Sequence, residues 1–142
     1  MNASLSKVFI GGVWDLLHIG HLNILQEAKA LGDFLIVGVL TDDAVERYKP
    51  RTIIREDHRL LMVRALSCVD LAILQDDTDP TKDKLLQYYE PDILVHGDDW
   101  DKIPGQEWME QNGKEVVFLP YTSSVSSTQI RRSCGATISN DA

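Results

Sequence analysis

The sequence is poor in cysteine, has no long apolar run and is short of positive charge. Its two cysteines, Cys68 and Cys134, have neither the density of a disulfide scaffold nor the spacing of metal ligands, so we expect reduced thiols. No stretch of about 18 apolar residues exists, which argues against a membrane-spanning helix. The first seven residues lack the basic-then-apolar pattern of a signal peptide, and the sequence therefore predicts a cytoplasmic protein.

The charge balance is acidic, with 14 Lys and Arg against 22 Asp and Glu and a net charge of −8. Because nucleic-acid binding depends on a broad basic face, this balance argues against a nucleic-acid partner. Six of the 14 positive side chains nonetheless fall within residues 47–64, the basic segment: Arg47, Lys49, Arg51, Arg55, Arg59 and Arg64. The basic segment predicts either a solvated helical surface or a place where a small anion binds.

The hydrophobic pattern alternates between short β-like runs and helical stretches, and it predicts one domain over 1–134 with a frayed tail over 135–142. The predicted strands cover 7–11, 34–40, 69–74, 92–96 and 115–119. The predicted helices cover 22–31, 42–48, 56–67, 81–89, 104–112 and a stretch from 126. Such alternation predicts the α/β class, with a Rossmann-like, doubly wound, parallel five-stranded sheet and helices on both faces. Ligands on such sheets bind beyond the carboxyl ends of the strands.

The strongest candidate site is the histidine loop, residues 11–21, which follows the first predicted strand. It lacks the G-x-G-x-x-G and G-K-[ST] patterns, which argues against a dinucleotide-binding dehydrogenase and a P-loop enzyme. His18 and His21 lie about one turn apart at a helix start, and Gly20 removes a side chain where a ligand could approach. The pattern predicts a phosphate site. Two purely structural histidines, or a zinc site with Asp15 as third ligand, are the alternatives.

The stretch VWDLLHIGH, residues 13–21, resembles the H-x-G-H signature of the nucleotidyltransferase superfamily. It is most similar to the small cytidylyltransferases, in particular the glycerol-3-phosphate cytidylyltransferase family. The resemblance runs from about Lys7 to Arg132. Further matching segments follow in the family's order: Leu31-Gly32-Asp33, Asp57-His58-Arg59, Gly97-Asp98-Asp99-Trp100, Leu119-Pro120 and Ser126-Ser127-Thr128.

This resemblance implies transfer of CMP from CTP to a small phosphorylated acceptor, with glycerol 3-phosphate favoured and pyrophosphate released. It also implies Mg²⁺ carried on the triphosphate, and a homodimer. Ethanolamine phosphate, a phosphonate, a sugar phosphate, or FMN with another nucleotide, stay open as acceptors. A nucleotide-binding domain without turnover is the alternative outside enzymes.

The resemblance also assigns roles to residues. The predicted catalytic residues are His18, His21, Lys49 and Arg59. The predicted nucleotide-binding residues are Val13, Trp14, Asp99, Tyr121, Thr122, Ser126, Ser127 and Thr128. Lys82 is predicted to bind the acceptor, with a solvated lysine at a helix start as the alternative. The two histidines are expected to donate hydrogen bonds to phosphate oxygens, and no residue is predicted to ligate a metal.

Two positions depart from the family pattern. The family's last motif reads Arg-Thr-Glu-Gly-Ile-Ser-Thr-Thr, and Tyr121 replaces its arginine. Ser67 stands where the glycerol-3-phosphate enzymes often have another arginine, and Arg64 one turn earlier is the candidate to compensate. These changes leave nucleotidyl transfer as the prediction, but they weaken the assignment of the acceptor and, to a smaller degree, of CTP.

Overall fold

Five parallel strands form the centre of a computed structural model that describes residues 5–98, 102–122 and 125–135. The strands are β1 (Lys7–Gly12), β2 (Phe34–Leu40), β3 (Leu71–Gln75), β4 (Ile93–Gly97) and β5 (Glu115–Leu119). Their order across the sheet is β3-β2-β1-β4-β5, and every pairing is parallel. The predicted doubly wound parallel sheet is thereby confirmed.

Within the described residues, six helices accompany the sheet and cover its two faces. They are α1 (Ile19–Ala30), α2 (Asp42–Glu46), α3 (Glu56–Arg64), α4 (Leu85–Tyr89), α5 (Gln106–Gln111) and α6 (Ser127–Ser133). Because side chains alternate along a strand, β1 contributes to two separate cores. Val8 packs with Leu25 of α1 and Val63 of α3, whereas Phe9 packs with Leu86 of α4 and Met109 of α5.

Several strands and helices begin or end where the sequence predicts. The strands β2 and β5 have the predicted bounds, and the Thr41 hydroxyl accepts a hydrogen bond from the Ala44 N–H at 3.2 Å as the cap of α2. Helix α4 begins at Leu85 rather than at the predicted residue 81. The reason is a turn closed by the Asp79 carboxylate, which accepts from the Thr81 N–H at 2.9 Å, followed by Lys84 in the left-handed conformation (φ 67°).

The described residues include no helix that is both long and apolar enough to span a bilayer. Cys68 and Cys134 are both free thiols, as predicted. Most of the tail predicted to be frayed, residues 136–142, lies outside the described residues.

Candidate active site

An open cavity of about 280 Å³ lies beyond the carboxyl ends of β1 and β4. Ile10, Gly11 and Gly12 border it from β1, and His96 and Gly97 border it from β4. These two strands are neighbours in the sheet although the chain forms β2 and β3 between them. The cavity therefore lies where the strand order reverses, which is the usual ligand position in open α/β sheets.

The two histidines meet in this cavity at the start of α1. His18 is the residue that caps the helix, and its Nδ1 accepts a hydrogen bond from the Gly20 N–H at 3.0 Å. The His18 N–H in turn donates to Nδ1 of His21 at 3.2 Å. The two rings stack with centroids 3.8 Å apart and an angle of 24° between their planes. One ligand can thus contact both imidazoles.

The hydrogen bonds decide which ring nitrogens carry protons. Since both Nδ1 atoms accept from backbone N–H groups, each neutral ring holds its proton on Nε2. Burial, and to a smaller degree the charge of the neighbouring His18, lowers the pKa of His21 to about 4. Burial also lowers the pKa of His18. The site therefore offers two neutral Nε2–H donors near pH 7.

The missing side chain of Gly20 leaves room for the His18 ring. A Cβ at this position would lie 2.8 Å from Cε1 of His18 and 3.3 Å from a methyl group of Val125. The missing side chain therefore admits the His18 ring and the segment that precedes α6. Gly20 also borders the cavity, so the close ligand approach expected there stays a prediction.

Trp14 packs against the ring of His21. Its ring is 6% exposed, and its Nε1–H donates to the Gly38 carbonyl of β2 at 2.9 Å. The ring meets His21 edge to face, with centroids 5.4 Å apart.

Trp14 and Leu16 both adopt positive φ angles, 60° and 51°. Such a conformation is costly for residues other than glycine and persists where the surroundings hold it.

Asp15, between these two residues, joins three segments around the cavity. Its buried carboxylate accepts from the N–H groups of Ile53 and Ile54 at 2.8 and 2.9 Å. Its carbonyl accepts from the Ser127 hydroxyl at 2.6 Å. The histidine loop, the basic segment and the start of α6 are therefore held together at one residue. Both carboxylate oxygens thus accept hydrogen bonds from the backbone of the basic segment.

Arg59, predicted as catalytic, does not border the cavity. Its side chain is fully buried, and its guanidinium donates to the carbonyls of Ile54, Val13 and Leu40 at 2.7 to 2.8 Å. It also pairs with the Asp42 carboxylate at 2.6 Å. Four of its five N–H groups donate to the protein, and the side chain is fully buried outside the cavity lining, so it is not placed to contact a substrate. The structure corrects its role to positioning the histidine loop against the basic segment.

Most of the other predicted site residues do border the cavity. They are Val13, Trp14, His18, His21, Lys49, Tyr121, Thr122, Ser126, Ser127 and Thr128. Lys82 does not, because it lies exposed in the turn before α4, and Ser67 and Arg64 do not either. Asp99 lies outside the described residues. Two hydroxyl groups of the predicted nucleotide-binding residues already have partners within the protein. The Ser127 hydroxyl donates to the Asp15 carbonyl, and the Ser126 hydroxyl accepts from the Gln129 N–H at 3.1 Å.

The site residues predicted from the sequence do not include Arg131. Arg131 borders the cavity, and its Nη2 donates to the Arg51 carbonyl at 3.1 Å. Its Nε is buried and has no hydrogen-bond partner among the described residues. One signal was available: Arg131 follows Thr128 by three residues and so lies on the same side of α6.

The lining of the cavity is positive despite the acidic chain. Lys49 and Arg131 supply two cations, and the single carboxylate within the described lining, that of Asp15, is already bonded. Within the described parts of the chain, no group of three or more His, Cys, Asp or Glu is placed to hold a metal ion. The zinc alternative therefore has no ligand set there. An anion rich in acceptor oxygens fits this lining best.

Comparison with known proteins shows the family. Residues 9–133 match the family described as Cytidylyltransferase-like. Two curated relatives are proteins named Bifunctional protein HldE. The one from Citrifermentans bemidjiense is 39% identical over 87% of this chain and 26% of its own length; the one from Helicobacter pylori (strain Shi470) is 40% identical over 89% and 28%. This chain thus spans little more than a quarter of these relatives. They do not support glycerol 3-phosphate as the acceptor.

Two solved structures resemble the fold. The lipopolysaccharide core biosynthesis protein from Thermoplasma volcanium is 32% identical, with a TM-score of 0.72 over 84% of this chain and all of that protein. A pantoate-beta-alanine ligase from Francisella tularensis is 15% identical, with a TM-score of 0.50 over 91% of this chain and 69% of that one. The second likeness concerns the fold alone.

Proposed function

This chain belongs to the Cytidylyltransferase-like family and is a nucleotidyltransferase, and from that premise we propose its reaction. It transfers the nucleoside monophosphate unit of a nucleoside triphosphate to a phosphorylated sugar and releases pyrophosphate. The observation that carries this proposal is the pair of neutral Nε2–H donors, stacked 3.8 Å apart in a cavity that also holds Lys49 and Arg131.

The acceptor class is supported by the relative from Thermoplasma volcanium, which shares 32% of its residues with this chain over that protein's whole length. Its name places it in the synthesis of the lipopolysaccharide core, which is built of sugars. A phosphorylated sugar was among the acceptors left open by the sequence and now replaces glycerol 3-phosphate as the favoured one. CTP stays the nucleotide predicted from the sequence resemblance.

The chemistry needs no covalent enzyme intermediate. An oxygen of the acceptor phosphate attacks the α-phosphorus and forms a new P–O bond, while the bond to the β-phosphate breaks and pyrophosphate leaves with the electron pair. His18 and His21 donate through Nε2–H to oxygens that gain charge in the transition state, and Lys49 and Arg131 balance the charge of the departing group.

Mg²⁺, when bound with the nucleotide, neutralises part of the phosphate charge. The described lining offers no uncommitted carboxylate for it, since the Asp15 carboxylate is bonded to two backbone N–H groups. The donor set therefore fits an ion held by the triphosphate itself and by water. The proposed homodimer rests on the sequence resemblance.

Pyrophosphate release tests the proposal. ATP, CTP, GTP and UTP are each combined with a panel of phosphorylated sugars, glycerol 3-phosphate and ethanolamine phosphate, and one sugar phosphate is expected to give the highest rate. His18→Ala should bind nucleotide comparably and lower kcat about a hundredfold, because one transition-state donor is worth about 3 kcal/mol. His58→Ala is the matched control, since His58 is exposed and does not border the cavity.

Two results would contradict the proposal. Saturable nucleotide binding with no pyrophosphate from any combination would identify a binding domain without turnover. Unchanged turnover in His18→Ala would remove the histidine pair from the mechanism.

A further inference from the structure

We propose that Tyr121 is the stacking surface for the nucleobase and thus a determinant of nucleotide affinity. This inference rests on the proposed function, because it presumes that a nucleotide occupies the cavity. Tyr121 is also the position at which the chain departs from the family's arginine, so its chemistry needs an explanation of its own.

The cavity lining contains one aromatic side chain of the Phe, Tyr and Trp type with an accessible ring, as far as the described residues show. Trp14 is 6% exposed and is held by Gly38 and His21. Tyr121 is 54% exposed and borders the same cavity. A half-exposed aromatic ring inside a ligand cavity offers a planar apolar face, which is the chemistry that binds nucleobases.

The position of the ring matches the place that a base needs. The hydroxyl end of Tyr121 lies over Gly97, at the carboxyl end of β4, where a Cβ on residue 97 would overlap it. The two cations and the His18 and His21 donors come from other segments: the start of α1, the basic segment and α6, whereas His96 borders the cavity from β4 beside Gly97. The lining is thereby divided into a polar part suited to phosphates and an aromatic part at β4 and β5.

The backbone that carries the ring is fixed before any ligand binds. Pro120 restricts the chain on one side of Tyr121. On the other side, the Thr122 hydroxyl accepts a hydrogen bond from the Asn23 side chain of α1 at 3.0 Å. A ring held on such a backbone loses little conformational entropy when a base stacks on it, which increases affinity.

With tyrosine in place of arginine, this position would contact the nucleobase instead of a phosphate. A phenol carries no positive charge near neutral pH and cannot neutralise phosphate, whereas its ring attracts any base through its π-face. Because a purine presents a larger face than a pyrimidine, the contribution of the ring is expected to be larger for ATP than for CTP. Lys49 and Arg131 are the Lys and Arg side chains that the described lining offers to the phosphates.

Equilibrium binding separates the base from the phosphates. Dissociation constants of MgATP, MgCTP and magnesium tripolyphosphate are measured for the wild type and Tyr121→Ala. We expect Tyr121→Ala to weaken MgATP about tenfold or more and MgCTP by a smaller factor, and to leave tripolyphosphate unchanged, because the last has no base. Tyr121→Phe, which keeps the ring, should recover most of the affinity.

Two further variants complete the design. Gly97→Ala is expected to push the ring aside and weaken MgATP while tripolyphosphate binding persists. Tyr88→Ala is the control, because Tyr88 is 78% exposed on α4 and does not border the cavity. It should change no constant.

The outcomes distinguish this inference from the proposed function. Equal weakening of nucleotides and tripolyphosphate would mean that Tyr121 only supports the fold, and unchanged MgATP binding in Tyr121→Ala would mean that the base lies elsewhere. Either result overturns the inference while wild-type nucleotide binding and pyrophosphate release still support the proposed function. Failure of the wild type to bind any nucleotide would overturn both.

Discussion

The histidine loop and the basic segment border the same cavity, yet their side chains are held over very different sequence distances. In the histidine loop, the hydrogen bonds of His18 and His21 join residues two or three positions apart. In the basic segment, the guanidinium of Arg59 reaches carbonyls 5, 19 and 46 positions away. The hydrogen bonds of the histidine pair are therefore local, with packing added by Trp14 and Val125, whereas most of the Arg59 network exists only in the completed fold.

This contrast predicts that the two regions fail differently when mutated. Changes in the histidine loop should affect turnover more than folding. Changes at the buried centre of the basic segment should affect folding more than turnover.

The largest effect is expected for Arg59→Met. It leaves three carbonyls and the Asp42 carboxylate without their donor, and we expect a loss of about 3 to 5 kcal/mol in the free energy of unfolding. Chemical denaturation measures this loss. Arg64→Met is the control on the same helix, because Arg64 is exposed and loses a single hydrogen bond, to the Ala72 carbonyl at 3.3 Å; it should cost no more than about 1 kcal/mol.

The opposite result would restore the role predicted from the sequence. If Arg59→Met unfolds like the wild type but loses turnover, Arg59 acts on the substrate and the contrast between the two regions disappears.

The same contrast explains which features could be predicted. The His18 and His21 pair and the Thr41 cap depend on neighbours within a few residues, and the sequence spacing was sufficient to place them. The doubly wound parallel sheet followed from the alternation of strands and helices, whereas its strand order comes from the structure. Each of these features depends on residues that are close together in the sequence.

The roles of Arg59 and Arg131 could not be read in this way. A spacing pattern shows that an arginine is present, but only the folded chain shows whether its guanidinium donates to carbonyls or borders a cavity. Arg59 was predicted as catalytic and is fully buried, whereas Arg131 was not among the predicted site residues and borders the cavity. Burial of a charged side chain depends on contacts that are distant in sequence.

A second prediction concerns stability at low pH. Burial lowers the pKa of His21 from its ordinary value of 6.5 to about 4, so between these values the unfolded chain binds a proton that the folded chain does not. Stability should therefore fall as the pH is lowered through this window, by up to about 3 kcal/mol from this residue.

Denaturation at a series of pH values, with wild type and His21→Asn compared, measures this contribution. His58→Asn is the control and should keep the full slope of the wild type. A wild-type slope that is the same in His21→Asn would show that His21 is not buried as a neutral ring, and the histidine loop would then have a more solvated geometry than described.

A third prediction tests the residue that joins the two regions. Asp15→Ala leaves the N–H groups of Ile53 and Ile54 without their acceptor and should cost about 2 kcal/mol in unfolding free energy. It should also raise KM for the nucleotide, because Lys49 is carried by the segment that Asp15 holds. Glu27→Ala, at an exposed carboxylate of α1, should change neither quantity.

If Asp15→Ala lowers turnover at saturating nucleotide and leaves KM and stability unchanged, Asp15 contacts the reacting groups. The histidine loop and the basic segment would then not be coupled through it.

The smallest change in stability, and the sharpest separation of folding from turnover, is expected for Gly20→Ala. Alanine is the better helix former, by up to about 1 kcal/mol, which offsets a weakened His18 cap, so the unfolding free energy should stay within about 1 kcal/mol of the wild type. The added Cβ, 2.8 Å from the His18 ring, must displace the ring or Val125. Since a misplaced donor stabilises the transition state less, kcat should fall about tenfold. Gln26→Ala, at an exposed position of α1, should leave kcat unchanged. Equal kcat in Gly20→Ala and the wild type would show that the stacked arrangement of His18 is not needed for turnover. A large loss of stability in Gly20→Ala would show that the histidine loop, like the basic segment, depends on its long-range packing.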